Sequence, residues 1–184
     1  RNPEQARKAG KQMMQFMIYL SVGLMLLIYV GKSFLLHVVF GSIEQDVMNN
    51  CNIYLMICGA SIPFLAFYSG SAALFRSTGN SKISMIVSTV MNVINVAGNA
   101  ILVFGLHWGV EGVAIPTLIS RIVAAIMMLV LLYNQDFILN IRGMHLFQFE
   151  KNLLKKILFI GVPNGVESSM FQLGKILLLS LIAT

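Results

Sequence analysis

Five long apolar segments dominate this sequence and limit what it can fold into. They cover residues 13–40, 47–75, 83–104, 113–133 and 154–184. Each is long enough for a helix to cross the hydrocarbon core of a bilayer, which takes about 20 mainly apolar residues. None alternates with the period of two that is typical of strands, and in lipid a single segment satisfies its backbone groups only as a helix. The sequence therefore predicts an all-α membrane protein, an antiparallel bundle of about five transmembrane helices.

The composition supports a membrane location and excludes several other classes. Of the 184 residues, 57% are hydrophobic and 11% are charged, whereas a soluble domain carries about 25% charged residues. A soluble protein this apolar could not cover its surface, so the expected partner is the lipid bilayer. The net charge of +6 could suggest nucleic acid. However, the sequence lacks the interleaved basic and aromatic residues that stack on bases, and no nucleic-acid partner is expected.

Basic residues are distributed unequally between the two ends of the segments. If the helices alternate in direction, one side of the membrane carries ten bases. They are Arg1, Arg7, Lys8, Lys11, Arg76, Lys82, Arg142, Lys151, Lys155 and Lys156. The two loops on the other side carry no Lys or Arg, but contain Glu44, Asp46 and Glu111. Cytoplasmic loops are enriched in Lys and Arg, so the basic side is predicted to be the cytoplasm. Short connections also predict that sequential helices pack antiparallel.

A polar stripe runs along the third segment. Its members, separated by four, four, three and four residues, are Ser84, Ser88, Asn92, Asn95 and Asn99. This spacing places them on one helical face, where contact with lipid would be unfavourable. The stripe has two compatible interpretations. It could make hydrogen bonds between helices, with Gly98 allowing close approach, or it could form the polar wall of a substrate or ion pathway.

Two charged residues lie inside the segments and are candidate pathway residues. Arg121 either contacts substrate or is clamped to backbone carbonyls and nearby polar groups, because a central Arg is costly in a membrane. Glu167 lies about one turn after Pro163. A carboxylate in an apolar setting resists ionisation, so Glu167 could bind and release a proton or a cation. The alternative is a buried pair with a base on another helix.

The sequence contains no recognisable catalytic or metal-binding motif. Cys51 and Cys58 are seven residues apart on one helix, a geometry that forbids a disulfide between them. No His, Cys, Asp and Glu cluster has ligand spacing, and there is no phosphate loop, nucleophile elbow or zinc-protease motif. The expected protein is therefore not an enzyme, and it has no catalytic residue, no metal site and no cofactor.

Three stretches occur in an order that resembles a known family. Ala-Leu-Phe-Arg-Ser-Thr-Gly-Asn-Ser-Lys occupies 73–82, Asn-Val-Ile-Asn-Val-Ala-Gly-Asn occupies 92–99, and Gly-Val-Glu-Gly-Val-Ala-Ile-Pro-Thr-Leu-Ile-Ser-Arg occupies 109–121. They resemble the Arg-x-x-Gly-Asp/Asn-x-Lys junction, the Asn-rich fifth helix and the Gly-x-x-Gly-x-Ala entry to the sixth helix of the multidrug and toxic compound extrusion (MATE) transporters. Gly161-Val162-Pro163 is similar to the start of their seventh helix.

The resemblance implies a domain organisation and a location. MATE transporters have twelve helices in two six-helix lobes. Residues 1–133 would then form the latter part of the N-terminal lobe, with about four transmembrane helices. Residues 134–153 would form a cytoplasmic inter-lobe link, and residues 154–184 the first helix of the C-terminal lobe. The implied location is a bacterial cytoplasmic membrane, crossed several times, with the rest of the transporter chain as a partner.

The resemblance also implies a function. It is secondary active efflux of cationic or amphipathic organic compounds by antiport with sodium ions or protons. The alternative is a lipid-linked saccharide flippase of the same superfamily, which needs a more basic cavity than Arg121 and Lys175 would supply. One position departs from the family. Several branches carry an acidic residue near the place of Phe171, whereas Glu167 lies one turn earlier, so it is similar in setting only.

Overall fold

The computed structural model describes residues 3–40, 45–134 and 151–182. It describes side-chain surroundings for residues 8–32, 34, 45–133, 155, 158–159, 161–163 and 165–175. The α-helices are α1 (Pro3–Phe40), α2 (Gln45–Ser77), α3 (Ser81–Asn99), α4 (Glu111–Asn134) and α5 (Lys151–Ile182). Each predicted apolar segment corresponds to one of these helices. The described residues contain no strand, and the all-α fold class is confirmed.

Four helical stretches are long and apolar enough to cross a membrane. They are Lys8–Lys32, Gln45–Ser77, Ser81–Gly105 and Glu111–Tyr133. The chain is therefore a multi-pass membrane protein. Crossing by α5, and the assignment of the basic side to the cytoplasm, stay predictions.

The chain divides into two compact units, Arg1–Met144 and His145–Thr184. In the first unit, α2 packs extensively against both α1 and α4, α3 packs mainly against α4, and the contact between α2 and α3 is small. Sequence order thus predicts the contacts of α1 with α2 and of α3 with α4 correctly, but it misses the contact of α2 with α4. A short connection ties only the ends of two helices, whereas the placement of small residues decides which faces pack. The predicted lobe boundaries stay predictions, and residues 135–150 of the predicted link lie outside the described residues.

Close approach between α1 and α2 depends on glycines of α2. A Cβ atom at Gly70 would lie 2.7 Å from the Met14 Sδ, and one at Gly59 would lie 3.0 Å from the Tyr29 ring. The Tyr29 hydroxyl donates to the backbone carbonyl of Met56 at 3.0 Å. These contacts run in opposite order along the two helices, so α1 and α2 are antiparallel as predicted.

At one end of the first unit, apolar side chains from three helices form a buried cluster. Its members are Ala72, Phe75, Val87, Ala124, Met128 and Leu132. Phe75, Val87 and Met128 are among the largest fully buried side chains. The cluster joins the last turns of α2, the first turns of α3 and the last turns of α4. Helix α2 and helix α4 therefore run in the same direction, and α3 runs against both.

The end of the third segment differs from the regular α-helix that the sequence predicts. Residues Ala100–Gly105 form a π-helix. Its wider hydrogen-bonding pattern continues in the turn, where the Leu106 N–H donates to the Ile101 carbonyl at 3.1 Å. Short π-helical stretches are frequent at functional sites. This one directly follows Asn99, a predicted pathway residue.

Candidate functional site

The α3–α4 contact brings two polar side chains together. A Cβ atom at Gly98 would lie 2.7 Å from the Cβ of Pro116 in α4, so the close approach predicted for Gly98 is present. Beside it, the Asn95 Nδ2 donates to the Thr117 Oγ1 at 3.0 Å. An interhelical hydrogen bond between side chains is a means of holding membrane helices together. Asn95 therefore makes the kind of hydrogen bond between helices that the first interpretation of the stripe expects.

The same hydrogen bond is the middle one of three consecutive hydrogen bonds that run from Asn99 through Asn95 and Thr117 to the Val113 carbonyl. The Asn99 Nδ2 donates to the Asn95 Oδ1 at 3.3 Å, and the Thr117 hydroxyl passes its own hydrogen to the Val113 carbonyl at 2.9 Å. At the start of this series, the side-chain oxygen of Asn99 accepts no hydrogen bond from the described residues. The Asn99 Oδ1 is buried and has no hydrogen-bond partner among the described residues. A buried acceptor without a donor is unfavourable, and it offers a place for a donor or a cation.

The polar stripe predicted on α3 is only partly turned towards other helices. Ser84 is buried and accepts a 3.4 Å hydrogen bond from the Arg76 guanidinium. Asn95 and Asn99 are half-buried, whereas Asn92 is exposed. The structure therefore joins Asn95 and Asn99 and leaves Asn92 at the surface of the described chain.

Arg121 is held by a different helix, α2. Its Nη1 donates to the Oγ of Ser61, which is fully buried. The Ser61 hydroxyl in turn donates to the Cys58 carbonyl at 2.6 Å. Thr117 and Arg121 are one turn apart on the same face of α4, so two successive turns of that face contact α3 and α2 respectively. Within the described residues, no carboxylate forms an ion pair with Arg121.

These groups lie at a similar depth. Counting from the basic helix ends at 1.5 Å per residue, Ser61, Asn95 and Arg121 lie roughly 20–24 Å from those ends, and Asn99 and Thr117 lie roughly 26–27 Å from them. In a hydrocarbon core about 30 Å thick that begins at those ends, all five residues would lie between the two membrane surfaces. We call this group the polar layer. It comprises Ser61, Asn95, Asn99, Thr117 and Arg121.

Glu167 has a different environment. It is exposed, and it lies on α5 in the second unit. Nearby polar groups on α5 interact within that helix: the Ser169 hydroxyl donates to the Gly165 carbonyl at 2.8 Å, and the Lys175 ammonium lies 4.6 Å from the centroid of the Phe171 ring. The structure places no described partner beside Glu167, so its role as a coupling carboxylate stays a prediction.

Sequence reasoning missed two members of the polar layer, Ser61 and Thr117. Thr117 carries a detectable signal, because it lies four residues before Arg121 and therefore on the same face of α4. Ser61 carries none, since serine is common in membrane helices and the pairing of α2 with α4 is not evident from sequence order. No group of three or more His, Cys, Asp or Glu residues is arranged to hold a metal ion within the described ranges.

A sequence profile of one family matches more than half of the chain. The MatE profile covers residues 1–101. A Bacillus subtilis protein named uncharacterized transporter YisQ is 28% identical over 169 residues, covering 90% of this chain and 36% of that protein. A Thermotoga maritima protein named probable multidrug resistance protein NorM is 24% identical over 181 residues, covering 91% and 37% respectively. The chain thus spans about a third of the length of these relatives.

A third relative and a solved structure agree with this match. The multidrug export protein MepA of Staphylococcus haemolyticus is 30% identical over 118 residues, covering 64% of this chain and 26% of that protein. A structure described as the inward-facing conformation of a multidrug resistance MATE family transporter aligns with a TM-score of 0.71 at 18% identity. The alignment covers 86% of this chain and 41% of that one. At this identity the likeness shows the fold, and the resemblance found in the sequence is confirmed by the profile.

Proposed function

Because the chain belongs to the MatE family, we propose that it forms part of a secondary transporter that exports cationic or amphipathic organic compounds in exchange for sodium ions or protons. The names of two relatives, a probable multidrug resistance protein and a multidrug export protein, support export of this kind. The proposed location is a bacterial cytoplasmic membrane. Export of organic compounds against a gradient requires a polar route through the membrane interior and a site for the driving ion.

The observation that carries the proposal is the polar layer. Amide and guanidinium groups inside a membrane are unfavourable and usually mark substrate or ion pathways. The layer retains more polar capacity than packing requires, because the Asn99 Oδ1 is buried without a described partner. A purely structural contact between α3 and α4 would be complete with the hydrogen bond from Asn95 to Thr117.

The amide and hydroxyl oxygens of the layer suit a sodium ion better than a proton. Hard cations are bound by oxygen ligands, and hydrogen bonds link Asn95, Asn99 and Thr117, which all carry side-chain oxygens, beside the α3–α4 contact. Neutral amides do not change their protonation state near neutral pH, so proton coupling would need a carboxylate such as Glu167. We therefore propose that Asn95, Asn99 and Thr117 line the ion route, and that Glu167 is the candidate for proton coupling.

Drug accumulation in efflux-deficient bacteria tests export. The full-length protein should lower accumulation of a cationic dye, and Asn95→Leu should abolish that effect, because it removes both the interhelical hydrogen bond and an oxygen of the ion route. Thr89→Val is the matched control, since the exposed Thr89 hydroxyl donates to the Met85 carbonyl of its own helix at 3.0 Å and has no interhelical partner among the described residues. Unchanged accumulation with well-inserted wild-type protein would refute export. Full activity of Asn95→Leu would refute the ion route alone.

The coupling ion is tested separately in proteoliposomes. Dye export driven by a sodium gradient, and lost in Asn99→Leu, supports the oxygen site. Export driven only by a pH gradient, and lost in Glu167→Gln, supports proton coupling. Activity of Glu167→Gln under both gradients would remove Glu167 from the mechanism.

A further inference from the structure

Arg121 has more hydrogen-bonding capacity than its described partner uses. A guanidinium carries five N–H donors in a planar fork. Among the described residues, the structure gives it one acceptor, the Ser61 Oγ. That oxygen is fully buried, and its own hydrogen is directed to the Cys58 carbonyl. The serine therefore anchors one edge of the guanidinium, and the rest of the fork is available to a further acceptor.

The charge of Arg121 is not balanced by the described carboxylates of its unit. Asp46 and Glu111 lie in the first turns of α2 and α4. Measured along those helices, each is about 15 Å or more from the level of Arg121. A neutral Gln could donate to a serine hydroxyl without placing a charge in lipid. The Ser61 contact therefore explains how Arg121 is oriented and does not explain why it is charged.

A second polar group, Tyr54, lies on the face of α2 that carries Ser61. Tyr54, Cys58 and Ser61 are separated by four and three residues and so share one helical face. Along α2, Tyr54 lies about two turns, or roughly 10 Å, before Ser61. Tyr54 is 42% exposed and Arg121 is only half-buried. The guanidinium anchored at Ser61 and the phenol of Tyr54 therefore lie along the same face of α2, and neither side chain is fully buried.

We propose that Arg121, oriented by Ser61, binds the carboxylate of an amphipathic substrate. The planar fork matches a carboxylate in a bidentate arrangement, which is stronger and more directional than a neutral hydrogen bond. This assignment rests on the proposed export function and narrows its substrate class. Within the amphipathic compounds, those that carry a carboxylate are favoured over otherwise identical neutral ones.

The test compares two fluorescent amphiphiles that differ only in a carboxylate or its primary amide. Binding to the full-length protein in detergent is followed by fluorescence anisotropy. The wild type should prefer the carboxylate, and Arg121→Gln should weaken carboxylate binding by roughly tenfold or more while changing amide binding less than about twofold. Arg121→Lys, which keeps the charge and loses the fork, should retain part of the preference.

Ser61→Ala separates substrate binding from a structural clamp. It removes the described partner of Arg121 and leaves the guanidinium charge, so the preference for the carboxylate should persist. The proposal is overturned if the wild type binds both amphiphiles equally, if Arg121→Gln weakens both by the same factor, or if Ser61→Ala removes the preference as completely as Arg121→Gln.

Export is measured independently in efflux-deficient cells. A wild type that binds the carboxylate selectively and exports neither amphiphile would refute the export function while leaving the binding assignment intact.

Discussion

The two units of the chain satisfy their polar groups in different ways. In the first unit, Asn95 and Arg121 reach across to side chains of neighbouring helices. In α5, the side chains described between residues 155 and 175 are all exposed, and the Ser169 hydroxyl returns to a carbonyl of its own helix. The comparison shows that a polar residue in an apolar helix acquires a defined geometry when a second helix supplies the partner. Substitutions in the first unit should therefore have effects that matched substitutions in α5 lack.

The largest difference is expected for a buried methionine. Met128 is 0% exposed within the apolar cluster, whereas Met170 is 68% exposed. Met128→Ala should lower the free energy of unfolding by about 2 kcal/mol, the lower end for a large-to-small change, because in lipid the loss is mainly of packing contacts. Met170→Ala should change it by less than about 0.5 kcal/mol. Equilibrium unfolding of the full-length protein in mixed micelles measures both, and equal values would remove the contrast between the units.

A glycine at a helix contact should give the next largest effect. An added Cβ at Gly98 would lie 2.7 Å from the Pro116 Cβ, and the proline ring cannot rotate away. Gly98→Ala should therefore destabilise the protein by about 1–2 kcal/mol through overpacking, despite the better helix propensity of Ala. A lowered thermal unfolding midpoint, together with weaker export, is the expected result. An unchanged midpoint would mean that α3 and α4 can separate locally without loss.

A smaller effect is expected when the partner of Arg121 is removed. Ser61→Ala leaves the guanidinium without its described acceptor, which should lower stability by about 1 kcal/mol. Ser169→Ala is the matched change in α5, where the lost hydrogen bond is intrahelical and exposed, and it should be close to neutral. Unfolding in micelles compares the two. Equal stability of both variants would show that Arg121 does not depend on Ser61.

The smallest effect, of opposite sign, is expected in α5. A Cβ at Gly165 would meet nothing within 4 Å. Gly165→Ala should therefore raise stability by about 0.5 kcal/mol, because glycine in a helix interior loses more backbone freedom on folding than alanine does. Helix content by circular dichroism and the unfolding midpoint should both be unchanged or slightly higher. A clear loss of stability would indicate that Gly165 is packed closely in the full-length protein.

The candidate site was predictable in part, and particular residues show where prediction stopped. The three- and four-residue spacing of the Asn stripe identified one face of α3, and both Asn95 and Asn99 are indeed partnered there. The same spacing could not distinguish them from Asn92, because five residues on one face still span an arc, and Asn92 lies at the edge of that arc farthest from Gly98, which packs on α4. Arg121 was recognised by its charge, but its partner Ser61 was not, since a serine carries no signal of its own.

What the sequence determined by itself is the class of the protein. The length and apolar character of the segments required helices, because lipid offers no hydrogen bonds to an open backbone. Motif order identified the family, as the MatE profile confirms. The tertiary structure decided which faces meet: α2 against α4, Gly98 against Pro116, and Arg121 against Ser61. The hydrophobic free energy of an apolar side chain is similar in lipid and in a helix contact, so hydrophobicity does not determine which faces pack. The choice falls to small residues that allow close approach and to polar groups that need partners, and these interactions are specified only when all the helices are in place.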